Sequence, residues 1–200
     1  MKNPYAWHVK VNMSVLREIT SEIHRQAEST PFVQYMYSGN ISKRDYSTYL
    51  KQIVKIYTNL EYYCKVSGLT LGLVDLDRAE YIREDIEELG SFPDEEMLPS
   101  VKNYINHLTK LYHSSDRHLL MAHIYVRHMG DLFGGKMIAK RVPGSGKYYQ
   151  FEDRPTLVKQ LGEKVTMELA EEALYAFQLS IEVFNEMYEL MEDKNGKEQI

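Results

Sequence analysis

Only one cysteine, Cys64, occurs in the 200 residues. That excludes an internal disulfide and any thiolate cluster made within one chain. Cys64 lies inside an apolar helical repeat and reads as a small packing residue. No apolar run approaches the roughly 18 residues that span a bilayer, and the opening Met-Lys-Asn-Pro-Tyr-Ala-Trp-His lacks the apolar centre of a signal peptide. A cytoplasmic location and no membrane partner are therefore expected. Excess positive charge is missing too: the formal net charge is −5, and the lysines and arginines are scattered, so nucleic acid is not an expected partner.

Several catalytic patterns are also absent. There is no Glu-x-x-His, the mark of di-iron carboxylate bundles, no His-Glu-x-x-His zinc site and no Gly-x-Ser-x-Gly nucleophile turn. The loop Pro143-Gly144-Ser145-Gly146-Lys147 lacks the spacing of a phosphate-binding loop, and Tyr148 follows its lysine. Histidines 113, 118, 123 and 128 recur every five residues, a step of about 140° on a helix. They spiral round it and read as separate residues, not as a metal cluster.

Period-two alternation and internal repeats are missing as well, whereas helical periodicity runs throughout. With 44% hydrophobic and 26% charged residues, the chain reads as one soluble all-α domain over residues 1–200, with a polar tail, 193–200, expected to fray. After an irregular start, Ser14 can cap a helix to about Glu28 with Val15, Ile19, Ile23 and Ala27 inward. Thr30-Pro31 breaks it, and a short segment leads to Gly39. Ser42 with Asp45 caps a long helix carrying Tyr46, Tyr49, Leu50, Ile53, Ile56, Tyr57 and Leu60, ending near Gly68. Asp75 or Asp77 starts the next, Pro99-Ser100 another, and Asp153 with Pro155 a short one before a final helix from about Val165. Seven or eight helices in a compact bundle are expected.

The most informative stretch is Asp116 to about Lys140. Its flanks are helical, yet Gly130, Gly134 and Gly135 interrupt it at a cost of about 0.8–1 kcal/mol each relative to alanine. At about 100° per residue these glycines share one face with Arg127 and Asp131. A glycine face with one acid and one base admits a flat, bulky ligand close to the backbone. It also suits tight packing of a kinked helix on a neighbour, with Arg127 and Asp131 as an i,i+4 pair. Spacing leaves both readings open. His24 flanks the apolar stripe of the first helix, with Arg17 two turns earlier, so that helix and the glycine helix can form opposite walls of a pocket.

Tyr125-x-Arg127-x-x-Gly130-Asp131-Leu132-x-Gly134-Gly135, with Ala122-His123 before it, resembles the distal-helix motif of the heme oxygenases. Leu16-Arg17-Glu18-x-Thr20-x-Glu22-x-His24-x-x-Ala27-Glu28 is similar to the proximal-histidine segment of the same family. Tyr57-x-x-Leu60-Glu61 and Ala176-Phe177 through Phe184 extend the resemblance over most of the chain. It implies a heme oxygenase bundle with heme b held between the first helix and a kinked distal helix. The implied reaction is cleavage of heme, substrate and cofactor at once, by O2 and reductant to biliverdin of the IXα type, CO and ferrous iron. His24 would be the proximal iron ligand, and Gly130 and Gly134 would let the distal helix lie close over the heme. Asp131 would hold the water that donates a proton during oxygen activation, with Arg127 and Tyr57 supporting the network. Arg17 and Lys159 match positions near the propionates, and the resemblance implies that Tyr125 and Phe177 would line the pocket.

Four positions depart from the family pattern. Phe133 stands where a small polar residue is common, Lys136 replaces a glutamine, Ser21 a basic residue, and Gly162-Glu163 a Tyr-Arg pair near the propionates. The last of these departures falls where the propionates would be anchored and so bears on regiochemistry. A ferredoxin or flavoprotein reductase is the implied electron donor, a bilin reductase a downstream partner. A heme carrier or sensor on the same fold is the alternative that needs His24 but not Asp131, and a cofactorless or non-heme member of the fold is a third.

Overall fold

A computed structural model describes the backbone of residues 6–197 and the side chains of residues 13–193. The chain opens with two helices, α1 (Ala6–Ile19) and α2 (Ser21–Glu28), where one was expected after an irregular start. Ser14 lies inside α1 and does not cap it. The ladder crosses the joint, with Thr20 N donating to Leu16 O at 3.0 Å and His24 N to Thr20 O at 2.9 Å. The Thr20 hydroxyl donates to the same Leu16 carbonyl at 2.9 Å, and such back-bonding bends helices. One straight stripe therefore does not apply: Leu16 and Ala27 are buried, while Ile19 is 41% exposed.

Pro31 starts a helix as well as ending one. Its fixed φ suits the first turn of α3 (Pro31–Ser38), which closes on Gly39 in the left-handed conformation. Helix α4 (Lys43–Val66) is capped as expected, Asp45 N donating to Ser42 Oγ at 3.0 Å, and buries Tyr46, Tyr49, Tyr57 and Cys64. The next helix, α5 (Ala79–Leu89), starts later than either Asp75 or Asp77. Its cap is a carboxylate on α4: Glu61 Oε1 accepts from Arg78 N at 2.6 Å and Ala79 N at 3.1 Å. Asp75 instead takes a left-handed turn (φ 59°) and pairs with the fully buried Arg78.

Helix α6 (Pro99–His113) leads through a 3-10 turn, Arg117–Leu119, into α7 (Leu120–Ile138), the glycine-bearing helix, which is unbroken α-helix. A second 3-10 turn, Lys147–Tyr149, follows the Pro143–Lys147 loop, and α8 (Arg154–Lys164) is capped by Asp153, whose carboxylate accepts from Thr156 N at 3.1 Å. A third turn, Met167–Leu169, precedes α9 (Ala170–Lys197). The backbone of α9 stays helical past Glu192, where fraying was expected; residues 198–200 of that tail lie outside the described residues.

Among the described residues there are nine α-helices and no strand, all-α as expected but with more helices than the seven or eight read from periodicity; the split at Thr20 and α3 account for most of the difference. Helix α4 packs on α5 and α6, and α9 carries α2, α3 and α7. The apolar core draws on all nine helices. No helix among the described residues is long and apolar enough to cross a membrane.

Candidate functional site

Asp131, 7% exposed, stands on α7 facing α4 and the second 3-10 turn. Its Oδ2 accepts from the Tyr57 hydroxyl at 2.7 Å and its Oδ1 from the Tyr148 hydroxyl at 2.6 Å, and the two phenol oxygens lie 2.5 Å apart. Burial pushes the Asp131 carboxyl above the ordinary carboxylate range; the positive side of His128, the two phenol hydrogen bonds and Arg127 oppose that push. The hydrogen-bond count agrees in sign. Three oxygen–oxygen contacts share two phenolic protons when Asp131 is ionised, and protonating the carboxyl supplies the third.

Arg127, one turn before Asp131 on α7, is equally buried. Its guanidinium lies 4.9 Å from the centre of the Tyr104 ring and 5.7 Å from that of Tyr57. Its Nε and Nη2 meet no hydrogen-bond partner, and neither ring nitrogen of the buried His128 does, its Nε2 standing 3.9 Å from Glu61 Oε1. Buried donors of this kind normally find a protein, water or ligand acceptor. Arg127 and Asp131 thus sit in one cluster, joined through aromatic rings and not as the simple i,i+4 ion pair that spacing alone allowed.

The three glycines do different work. A Cβ at Gly135 would lie 2.6 Å from Tyr149 Cδ1 and 3.1 Å from Tyr149 Cβ, so Gly135 serves close packing. At Gly130 a Cβ would meet nothing within 4 Å, and at Gly134 only the Tyr37 hydroxyl, 3.7 Å away. The packing explanation therefore covers one glycine, and the other two leave bare backbone beside Asp131. Phe133, which could have closed the site, points outward and is 63% exposed.

His24 on α2 lies on the exposed side of its helix. Its Nε2 is 3.7 Å from Glu28 Oε1, and its ring meets Phe177 of α9 edge-on at 5.6 Å between centres. Tyr125, on α7, is buried. Burial raises its phenol, while a hydrogen bond with Thr20 and the charge of Arg17 act the other way, which ties α1 to this side of α7. The structure brings Tyr57, Arg127 and Asp131 together, and His24 with Phe177. Arg17 and Lys159 both project into solvent, Lys159 from α8.

Two site residues, Tyr148 and Tyr104, escaped the sequence, as did Arg154, which supports the first of them. Tyr148 is delivered to Asp131 because Lys147 N and Tyr148 N both donate to the Asp85 carboxylate, at 2.8 and 2.9 Å. Arg154 braces the same turn by bonding the Tyr149 and Leu132 carbonyls. Tyr104, under Arg127, comes from α6. Neither carries a local motif. His123, expected to stand apart, meets His107 and Glu172 from two other helices.

Fold and site together define an all-α protein with a buried acid–base cluster beside an open glycine face. The family model for heme oxygenase matches residues 12–186, and the chain belongs to that family of enzymes. Heme oxygenase of Guillardia theta is 30% identical over 201 residues, covering 86% of this chain and 84% of that protein. Heme oxygenase 1 of Rattus norvegicus is 28% identical over 209 residues, 90% of this chain and 72% of the relative. The crystal structure of heme oxygenase-1 from the cyanobacterium Synechocystis, in complex with heme, shares the fold with a TM-score of 0.75 at 19% identity, covering 94% of this chain and 99% of that one.

Proposed function

We propose that this heme oxygenase binds heme b between α2 and α7, with His24 as the proximal ligand, and opens it with O2 and reductant to biliverdin, CO and ferrous iron. The observation that carries the reading is the pairing of bare backbone at Gly130 and Gly134 with the Asp131 carboxylate held by two phenols. The residues fit such a group. Two glycines one turn apart form a cradle that a Cβ would fill, Arg127 on the same helix keeps buried donors without a partner, and the His24 imidazole has no close polar partner among the described residues.

Bound heme supplies both the iron that reduces O2 and the porphyrin edge that is opened. The protein's part is orientation and protons. Gly130 and Gly134 would let the α7 backbone come close to the bound group, and Phe177 supports the His24 imidazole edge-on. Ionised Asp131 accepts hydrogen bonds, which holds a water in place to deliver protons; Tyr57 and Tyr148 fix the carboxylate, and Arg127 donates to the same network. Arg17 and Lys159 stand in solvent as cations for the propionates. Electrons come from a ferredoxin or flavoprotein reductase, and the biliverdin is of the IXα type, passed to a bilin reductase.

An absorption titration of the purified apoprotein with hemin, followed by reductant in air, tests this. The expected result is a stoichiometric Soret band that converts to a biliverdin spectrum. General acid–base groups contribute typically 10²–10⁴-fold, so Asp131→Ala should keep the Soret band and lose turnover by about that factor. Saturable hemin binding with no turnover, given a competent donor, would make the protein a carrier and refute the enzymatic role of Asp131.

A further inference from the structure

His107 of α6, His123 of α7 and Glu172 of α9 converge on one point at the junction of three helices. One ligand-type atom from each lies within 4.8 Å of the others. His107 Nε2 is 2.6 Å and His123 Nε2 2.9 Å from the same oxygen, Glu172 Oε1. In the metal-free state both imidazoles donate Nε2–H to that carboxylate, and His123 Nδ1 accepts from the Tyr104 hydroxyl at 3.0 Å. The arrangement is more than a hydrogen-bonded lock, because both rings turn the same nitrogen inward toward a shared anion.

Two imidazole nitrogens and one carboxylate are the three protein ligands of an open zinc site. Ligating histidines usually present their other nitrogen to an orienting partner, and Tyr104 holds that place for His123. Entry is available from one side: the His107 and Glu172 side chains are 21% and 13% exposed, whereas His123 is fully buried.

We propose that His107, His123 and Glu172 bind one zinc ion through the two Nε2 atoms and the carboxylate, clamping α6, α7 and α9 with the remaining coordination position open to solvent. Binding moves each ring proton to Nδ1. His123 then donates to the Tyr104 oxygen, reversing that hydrogen bond next to the ring on which Arg127 rests. The site involves neither His24 nor Asp131 and stands independently of the heme reading.

The test is equilibrium dialysis of the full-length apoprotein against zinc chloride, with metal counted by mass spectrometry and a parallel thermal melt. One zinc per chain is expected, weakened at least tenfold by His107→Ala and by Glu172→Gln, with a zinc-induced rise in Tm that both variants lose. His24→Ala should bind zinc as the parent does, which removes the His24–Glu28 pair as the source. Absence of saturable binding at tens of micromolar free zinc, or binding that survives both substitutions, overturns the proposal. Should His107→Ala fail to fold, X-ray absorption on the zinc-loaded parent decides: two imidazoles with a carboxylate support the site, and any other ligand set refutes it.

Discussion

Asp131 and His24 carry the two halves of the proposed chemistry, and they are built in opposite ways. Asp131 is buried, accepts from two phenols on different elements and lies one turn from an arginine braced on aromatic rings. His24 has a side chain 47% exposed, one distant carboxylate for company and an edge contact with Phe177. The proton-handling half is part of the core, set when the protein folds. The ligand half is held loosely by the protein itself and, on the proposed reading, would gain its strong partner only from the iron. Damage to the first half should therefore register in chemistry and stability together, and damage to the second in binding alone.

His24→Ala breaks the comparison most sharply. Removing a half-exposed imidazole without a close polar contact should change stability by no more than about 0.5 kcal/mol. Loss of the axial ligand should weaken hemin roughly a hundredfold, about 2.7 kcal/mol, and added imidazole should restore the Soret band. Paired thermal melts and hemin titrations measure both. Unchanged hemin affinity would remove His24 from the ligand role.

The glycines of α7 sharpen it within a single helix. Gly135→Ala drives a Cβ into Tyr149, which is 3% exposed and flanks Tyr148. Overpacking costs about 1–3 kcal/mol, more than the roughly 0.8–1 kcal/mol that alanine gains in helix propensity, so a net loss of stability is expected. At Gly130 the added methyl meets nothing, so that propensity gain should appear as a Tm higher by roughly 2–4 °C while heme turnover falls. A Gly130→Ala variant with a raised Tm and full turnover would show that this glycine does not serve a ligand.

The contrast also marks what a sequence can reveal. Residues that one helix places together were legible: Arg127, Asp131 and the glycines share a face by spacing alone, and His24 stands out beside its apolar stripe. What depended on contacts between elements was not. Tyr148 reaches Asp131 only because Asp85 and Arg154 fold its turn inward, and α5 begins where Glu61 of another helix caps it. The break at Thr20 has the same character, since a threonine hydroxyl bonding back within the helix leaves no mark in the hydrophobic period. His107, His123 and Glu172 are separated by 16 and 49 residues, and no local motif links them.

Tyr148→Phe alters the fewest atoms and is the most specific change. It keeps the ring and removes one of the two hydroxyls that hold Asp131, leaving Oδ1 without its phenol. The cost in stability should be about 1.5–3 kcal/mol, the range for a hydrogen bond to a charged group. The sign on acidity follows from the geometry: a hydrogen bond donated to the ionised carboxylate lowers its pKa, so losing it pushes the already raised Asp131 higher still. On the proposed mechanism turnover needs the ionised carboxylate as an acceptor, so the acid limb of the pH profile should move to higher pH while hemin affinity stays unchanged. An acid limb that stays in place, or moves to lower pH, would mean that Tyr148 fills space beside Asp131 without tuning it.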